Sequence, residues 1–473
     1  MKKIFYILLA ALCLNACAQF TEIQPKGKNI LSSTAEIDML LNFDYSPYQN
    51  FGFQCSSYYG LLVNDIYPMD NIPNLISGTT ASTTRAVFTY DETIDRARLT
   101  NSDDTYADLY SLIGKVANPV LSLVDEASGD ERLKKQYKAE AYVLRAYAHY
   151  LLVNLYAKAY DPATAATDGG IYYQLEDADL SAPITQSTVQ EVYDHILADV
   201  NAAIELNALP DRAENTMRVS QAFAYAVKAQ VLMNMKKFTE AEAAALASVK
   251  ANGYIEDYNA YRNGLWSHPK VGNNQDLFLI PVGVFLVGPS EDLMRCYEEG
   301  DILSTHVMLD EMVFGFHYSM LICGMDMGPA WFDQESYLNA LGITTSQMYL
   351  TVAECALRRG DVNEAMKWVD EVRRNRIDDT VFQPLEGSVI GKAEALAALR
   401  RTLRTENFMS IWNYIDIKRW NVEPEYSQTV TRTVEAPMYG ISETFTLSPS
   451  SNLWLRPFAV DALGLNSELK QNY

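Results

Sequence analysis

The longest regular pattern of apolar and polar positions runs from Lys138 to Lys158. Tyr142, Ala146, Tyr150, Val153 and Ala157 fall on one stripe at helical spacing, and Leu144, Ala148, Leu151 and Leu155 fall on another. Apolar residues at every third or fourth position predict an α-helix, and two such stripes predict a helix packed on both sides. Elsewhere the period changes. Residues 421–452 are rich in Thr, Ser and Pro, and the alternation in Gln428 to Val434 and in Ser442 to Leu447 predicts β-strand. Residues 262–344 are rich in Gly, aromatics and Met, and the apolar run Leu277 to Val287 reads as strand or buried loop.

Two further segments predict helix pairs. The first opens at Tyr225, with Ala229 and Ala241 at +4 and +16 and Phe238 at +13; the second opens at Tyr349, with Ala353, Ala365 and Val362 at the same offsets. This is the spacing of a tetratricopeptide repeat, in which small residues let two antiparallel helices approach and larger ones fill the gap. Arg359-Gly360-Asp361 supplies the turn of the second pair. The two copies lie 124 residues apart, which predicts no tandem array. A chain of 473 residues could hold about three domains or one large repeat-based unit, and the spaced pairs favour the latter. The expected fold is mostly α: a helical repeat scaffold mainly over 105–260 and 345–420, with a few short strands. Irregular excursions at about 43–104, 262–344 and 421–452 are where binding sites tend to sit.

The start of the chain predicts a compartment. Lys2 and Lys3 precede the apolar run Ile4 to Leu14, which is too short to span a bilayer and suits a secretory signal. Leu14-Asn15-Ala16-Cys17 resembles the lipobox of bacterial lipoproteins, so 1–16 is expected as signal peptide, Cys17 as the lipidated residue and 17–30 as a tether. Several acyl chains on one residue give stable anchoring. The 38 Lys and Arg against 60 Asp and Glu give a net charge of −22, and loss of Lys2 and Lys3 would make it −24. That balance argues against nucleic acid, whose phosphates need clustered Lys and Arg. It also disfavours electrostatic adhesion to an anionic bilayer, which leaves the lipid as the membrane contact.

Catalytic and metal motifs are lacking. The five His residues form no HExxH pair, and Cys55, Cys296, Cys323 and Cys355 stand apart in no CxxC arrangement, as expected of buried thiols. Gly387 to Ala393 is one residue short of a phosphate loop and has Ala393 where Ser or Thr would hold magnesium. Gly288 to Asp292 lacks the second Gly of a nucleophile elbow, and Arg262 stands where a calcium loop needs Gly. No cofactor, metal or catalytic set is therefore expected.

Two regions do combine aromatics with hydroxyl-bonding groups. Tyr58, Tyr59, Asp65, Tyr67, Asp70 and Asn71 form the first; Trp266, Trp331 and Phe332 form the second. Aromatic faces can cover the apolar faces of pyranose rings while Asp and Asn bond hydroxyls, and the 30 Tyr suit such amphipathic contact. Met308, Met312, Met320, Met325 and Met327 crowd the second region, and adaptable thioethers keep a peptide ligand as an alternative. A surface glycoside hydrolase is the other alternative, since two opposed carboxylates in a cleft are not visible in sequence.

Taken in order, several stretches resemble the SusD/RagB family of outer-membrane nutrient-binding lipoproteins. They are the lipobox at Cys17, Asn64-Asp65 after Leu61-Leu62-Val63, Tyr106 to Asn118, and Glu140 to Tyr150 with its Leu-Arg-Ala-aromatic core. Gly342-Ile343, Gln347 through Arg376, Arg400-Arg401 through Asp416-Ile417-Lys418-Arg419-Trp420, and the terminal Gln471-Asn472-Tyr473 follow. The resemblance implies a SusD-like, mostly α-helical protein with four repeat-like helix pairs and a more irregular ligand-carrying half. It implies a lipid-anchored, outward-facing protein over a TonB-dependent outer-membrane porter (SusC-like). It further implies that glycan, or sometimes peptide, is captured for import and not cut.

Overall fold

The computed structural model describes residues 31–42, 58–68, 72–179, 184–262, 274–283, 288–304, 308–309, 330–331 and 337–473. Its axis is a long helix. After α1 (Thr34–Leu41), α2 (Asp104–Leu112) and α3 (Asn118–Leu123), joined by a π-turn at Ile113–Ala117, comes α4 (Glu131–Tyr156). From Ala139 to Tyr156 every residue of α4 except Tyr142 is buried, because α1, α2 and α3 pack on it as well as α5 (Val189–Glu205) and α6 (Gln221–Asn234). The two apolar stripes are thus both covered, as their pattern predicts.

Burying a charge is costly unless it is paired. Arg145, the Arg of the Leu-Arg-Ala core, donates from Nε and Nη2 to the two carboxylate oxygens of Asp199 at 2.7 and 2.8 Å, and also reaches Glu176. Arg218 closes on Glu140 in the same bidentate way at 2.8 and 2.9 Å. These pairs fasten α4 to α5 and to the strand of chain before α6.

The first predicted pair is α6 with α7 (Phe238–Ala251), and the second is α9 (Thr345–Arg358) with α10 (Val362–Arg373), α8 being the single turn Glu291–Met294. Thr344 and Gln347 form a capping box that starts α9. Gly360 turns the chain between α9 and α10 at φ +92°, a conformation that favours Gly, and Asp361 then caps α10 by accepting from Glu364 N at 3.0 Å. α11 (Lys392–Glu406) packs on α9 and α10, and α12 (Trp412–Trp420) follows it.

The pairs stack directly although they are far apart in sequence. α7 packs against α9, with Tyr349 Oη donating to Gly253 O at 3.1 Å and Arg359 meeting Glu242 at 2.6 Å. The intervening chain leaves and returns as a series of nested antiparallel pairs. β1 (Asp276–Phe278) pairs with β6 (Ile343–Thr344), β2 (Pro281–Gly283) with β5 (Tyr337–Asn339), and β3 (Met308–Leu309) with β4 (Ala330–Trp331). At the base, a Cβ on Gly342 would stand 1.9 Å from Phe278 O, so only Gly allows the two limbs to close there. The excursion is therefore an outgrowth between adjacent repeats, and the repeat stack continues beneath it.

The last strands, β7 (Val430–Ala436) and β8 (Ile441–Leu447), form the hairpin expected from alternation. On β7 the inward positions are Val430, Arg432, Val434 and Ala436. Arg432 is fully buried: it donates to the carbonyls of Leu61, Val87 and Phe88 and to Asn64 Oδ1, and lies 4.7 Å from the Phe88 and Tyr90 rings. The chain end is fixed too, since Asn472 Nδ2 donates to Tyr156 O at 2.7 Å and Gly170 O at 2.9 Å.

Candidate functional site

Asn64 adopts φ +62°, in the left-handed region that Asn tolerates, and this turn aims Asp65 inward. There Asp65 accepts from Arg404 Nε and Asn413 Nδ2, each at 2.7 Å. Burial raises its pKa against the pull of Arg404. Tyr59 is fully buried with its ring 4.1 Å from that of Tyr414. Neither Tyr59 nor Asp65 is offered to a ligand in this structure.

Tyr58 and Tyr67 are half-buried. Tyr58 Oη accepts from Arg96 Nη1 at 2.8 Å, and the Tyr67 hydroxyl oxygen accepts from Glu291 N at 3.4 Å. Burial raises the Tyr67 pKa. Asp70, Asn71, Trp266 and Phe332 lie outside the described residues, as does Cys17. Trp331 is described by its backbone alone, opposite Met308 in the β3–β4 pair. Of the remaining thiols, Cys355 is buried and Cys296 half-buried, both free; Cys55 and Cys323 lie outside the described residues.

The first of the two regions is bonded to residues 288–290. Ile66 bridges Pro289, Tyr67 N donates to Gly288 O at 2.8 Å, and Ser290 N donates to Asp65 O at 2.8 Å. Ser290 Oγ adds a bond to Asn64 O. The early segment is thus bonded to the chain that passes through the 262–344 excursion.

Beside this seam lies a cleft of about 290 Å³. Asp292, Arg295 and Cys296 face it from the excursion, Arg400, Arg401 and Arg404 from α11, and Trp420 from α12. Arg404 is its structural centre. It donates to Asp65, to Asp292 Oδ2 at 2.7 Å and to Asn64 O at 2.7 Å. Burial alone would lower its pKa, but the Asp65 carboxylate beside it raises it instead. A second cleft, of about 240 Å³, is lined by Lys158, Asp161, Thr164, Asp168, Asn421 and Trp454 among others. Lys158 and Thr164 converge on the Asp168 carboxylate at 2.8 and 2.6 Å. Both clefts offer amides, hydroxyls, charges and an aromatic edge, the mixture that fixes a polar ligand.

In the sequence the α11 arginines enter only as part of the family resemblance. The signal was present in the i, i+4 spacing of Arg400 and Arg404, which sets two cations on one helix face of an acidic chain. Among the described residues, no group of three or more His, Cys, Asp or Glu is arranged to hold a metal ion, and no helix is long and apolar enough to cross a membrane.

Comparison with known proteins agrees with this architecture. Residues 55–233 match the family model described as "Starch-binding associating with outer membrane", and residues 343–473 match that of the SusD family. No curated protein matches the chain. Among solved structures, a SusD superfamily protein from Bacteroides thetaiotaomicron is 17% identical with a TM-score of 0.69, over 93% of this chain and 100% of its own. A SusD-like carbohydrate binding protein from Bacteroides vulgatus is 15% identical with a TM-score of 0.65, over 93% of this chain and 98% of its own. Surface glycan-binding protein A from Bacteroides uniformis is 16% identical with a TM-score of 0.65, over 93% and 99%. At these identities the shared property is the fold. The two family matches, in order and covering well over half of the sequence, together with that fold, establish that this chain belongs to the SusD/RagB family.

Proposed function

We propose that this protein is a cell-surface lipoprotein, anchored through Cys17, that binds glycan and delivers it uncut to a TonB-dependent outer-membrane porter. The observation that carries the reading is the seam between residues 64–67 and 288–291, which joins the early aromatic segment to the excursion bearing the tryptophans. Support comes from the family description and from solved relatives named for carbohydrate and glycan binding. The ligand contacts proposed are Tyr58, Tyr67, Asp70 and Asn71 with Trp266, Trp331 and Phe332. Tyr59 and Asp65 act behind them as support.

The test is a glycan array probed with the purified protein, with each bound saccharide recovered and sized. Retention of intact saccharide supports the reading, and released fragments favour a hydrolase. Solubilising native membranes and identifying what co-purifies tests the porter: a large β-barrel protein is expected.

A further inference from the structure

The seam cleft is cationic in a chain of net charge −22. Most of its charged groups are already matched. Arg404 serves Asp65 and Asp292, Arg295 meets Glu291 at 2.7 Å, and Asp416 accepts from Arg419 at 2.9 Å. Arg400 differs. Among the described residues it makes no ion pair, and its bonds reduce to one from Nη2 to Tyr426 O. Its guanidinium lies 5.0 Å from the Trp420 ring, and its buried Nε has no partner. Burial holds its pKa below the ordinary guanidinium value. Arg401 meets Glu298 only at 3.4 Å, and that carboxylate is already taken by Arg373 at 2.9 and 2.7 Å. Its Nε is likewise buried and without a partner.

Both side chains line the one cleft, and among the described residues no hydrogen bond or ion pair engages Nη1 of either. Val63, Leu403 and Ile417 add apolar lining where the C–H face of a ring can rest. A guanidinium binds a carboxylate or sulfate through paired, charge-assisted hydrogen bonds, which are about twice as strong as bonds to a neutral hydroxyl. At about 290 Å³ the cleft suits a terminal residue or side branch and not a long stretch of chain.

We propose that this cleft takes an acidic sugar residue, a pyranose bearing a carboxylate or a sulfate ester, with Arg400 and Arg401 as its ligating pair. The inference rests on the glycan-binding reading and narrows its substrate class. Calorimetric titration of the purified protein tests it, using oligogalacturonate beside its carboxyl-reduced counterpart and chondroitin sulfate oligosaccharide beside its desulfated form. Arg400→Gln and Arg401→Gln are titrated in parallel, with thermal melts to verify folding, and an acidic peptide serves as a further arm. At least one acidic saccharide is expected to bind, and its carboxyl-reduced or desulfated counterpart to bind about tenfold more weakly or worse. Arg401→Gln is expected to cause a comparable loss without a change in melting temperature. Loss on carboxyl reduction assigns the group to a carboxylate, and loss on desulfation, which leaves the uronate carboxylates in place, assigns it to a sulfate. Binding that is unchanged by carboxyl reduction and by desulfation, and unaffected by either variant, overturns the inference and leaves glycan binding intact. Failure of every saccharide overturns both, and binding of the acidic peptide alone assigns the cleft to peptide.

Discussion

Arg419 donates from Nη1 and Nη2 to the two carboxylate oxygens of Glu354, each at 2.7 Å, and both side chains are buried. Trp420 Nε1 adds a bond to the same carboxylate at 3.1 Å, and Arg358 Nε another at 2.8 Å. The Arg-Trp pair of α12 is thereby locked onto α9, the first helix of the second repeat. Burial alone would raise the Glu354 pKa, but Arg419 and Arg358 outweigh it and hold the carboxyl well below the usual range.

Removing one partner of a buried pair strands the other charge. Glu354→Gln is expected to cost about 3–5 kcal/mol in urea unfolding, while Glu354→Met with Arg419→Met costs less than the two single changes added together. The Glu354 contribution is present above its unfolded value of about 4.3. It is lost only as pH falls through the depressed folded value. A Glu354→Gln penalty that does not shrink in acid contradicts this assignment.

Asp301 has the opposite sign. Burial pushes its carboxyl up to about 7, against about 3.9 in an unfolded chain. Between those values the folded protein holds a proton that the unfolded chain has released, so stability falls as pH rises through this window. Asn can still accept the bonds from Leu303 N and Ser304 N. The melting temperature of Asp301→Asn relative to the parent is therefore expected to rise between pH 4 and pH 7 and level off above. A constant difference across that range would refute the shift.

The roles proposed for Tyr59 as support and Tyr67 as contact can be separated by substitution. Tyr59→Ala opens a cavity in the core and is expected to cost about 3–5 kcal/mol by denaturant titration, with glycan affinity retained by the folded fraction. Tyr67→Ala is expected to weaken glycan affinity by about 1 kcal/mol with a smaller loss of stability. The reverse ranking in affinity would exchange their roles.

The last side chain but one closes the fold. Asn472→Ala leaves the carbonyls of Tyr156 and Gly170 without their donor, and about 1–3 kcal/mol of stability is expected to go with it. Hydrogen exchange checks the location: protection should fall first at the end of α4.

Much of the scaffold is legible in the sequence because periodicity reports which faces are covered. The two stripes of α4, the Tyr225 and Tyr349 pairs and the alternation in β7 and β8 all appear where the pattern puts them. Periodicity does not report what covers a face. The contact of α7 with α9 depends on nested strand pairs that bring the excursion back to its origin, and no local pattern encodes that return. Arg432 occupies an apolar register because carbonyls distant in sequence receive it. The seam cleft was hidden for the same reason. Arg400 and Arg401 are ordinary helix residues until Asp292, Cys296 and Trp420 are folded around them. Tyr59 and Asp65 were legible as aromatic and acid, but not as inward-facing.

Calorimetric titration of the purified protein with intact glycans, followed by chromatography of the same sample, tests the central claim most directly. Saturable binding with the saccharide recovered at its original size is the expected result. Saccharide fragments after incubation, or no heat of binding across neutral and acidic glycans, would contradict a glycan-capturing role.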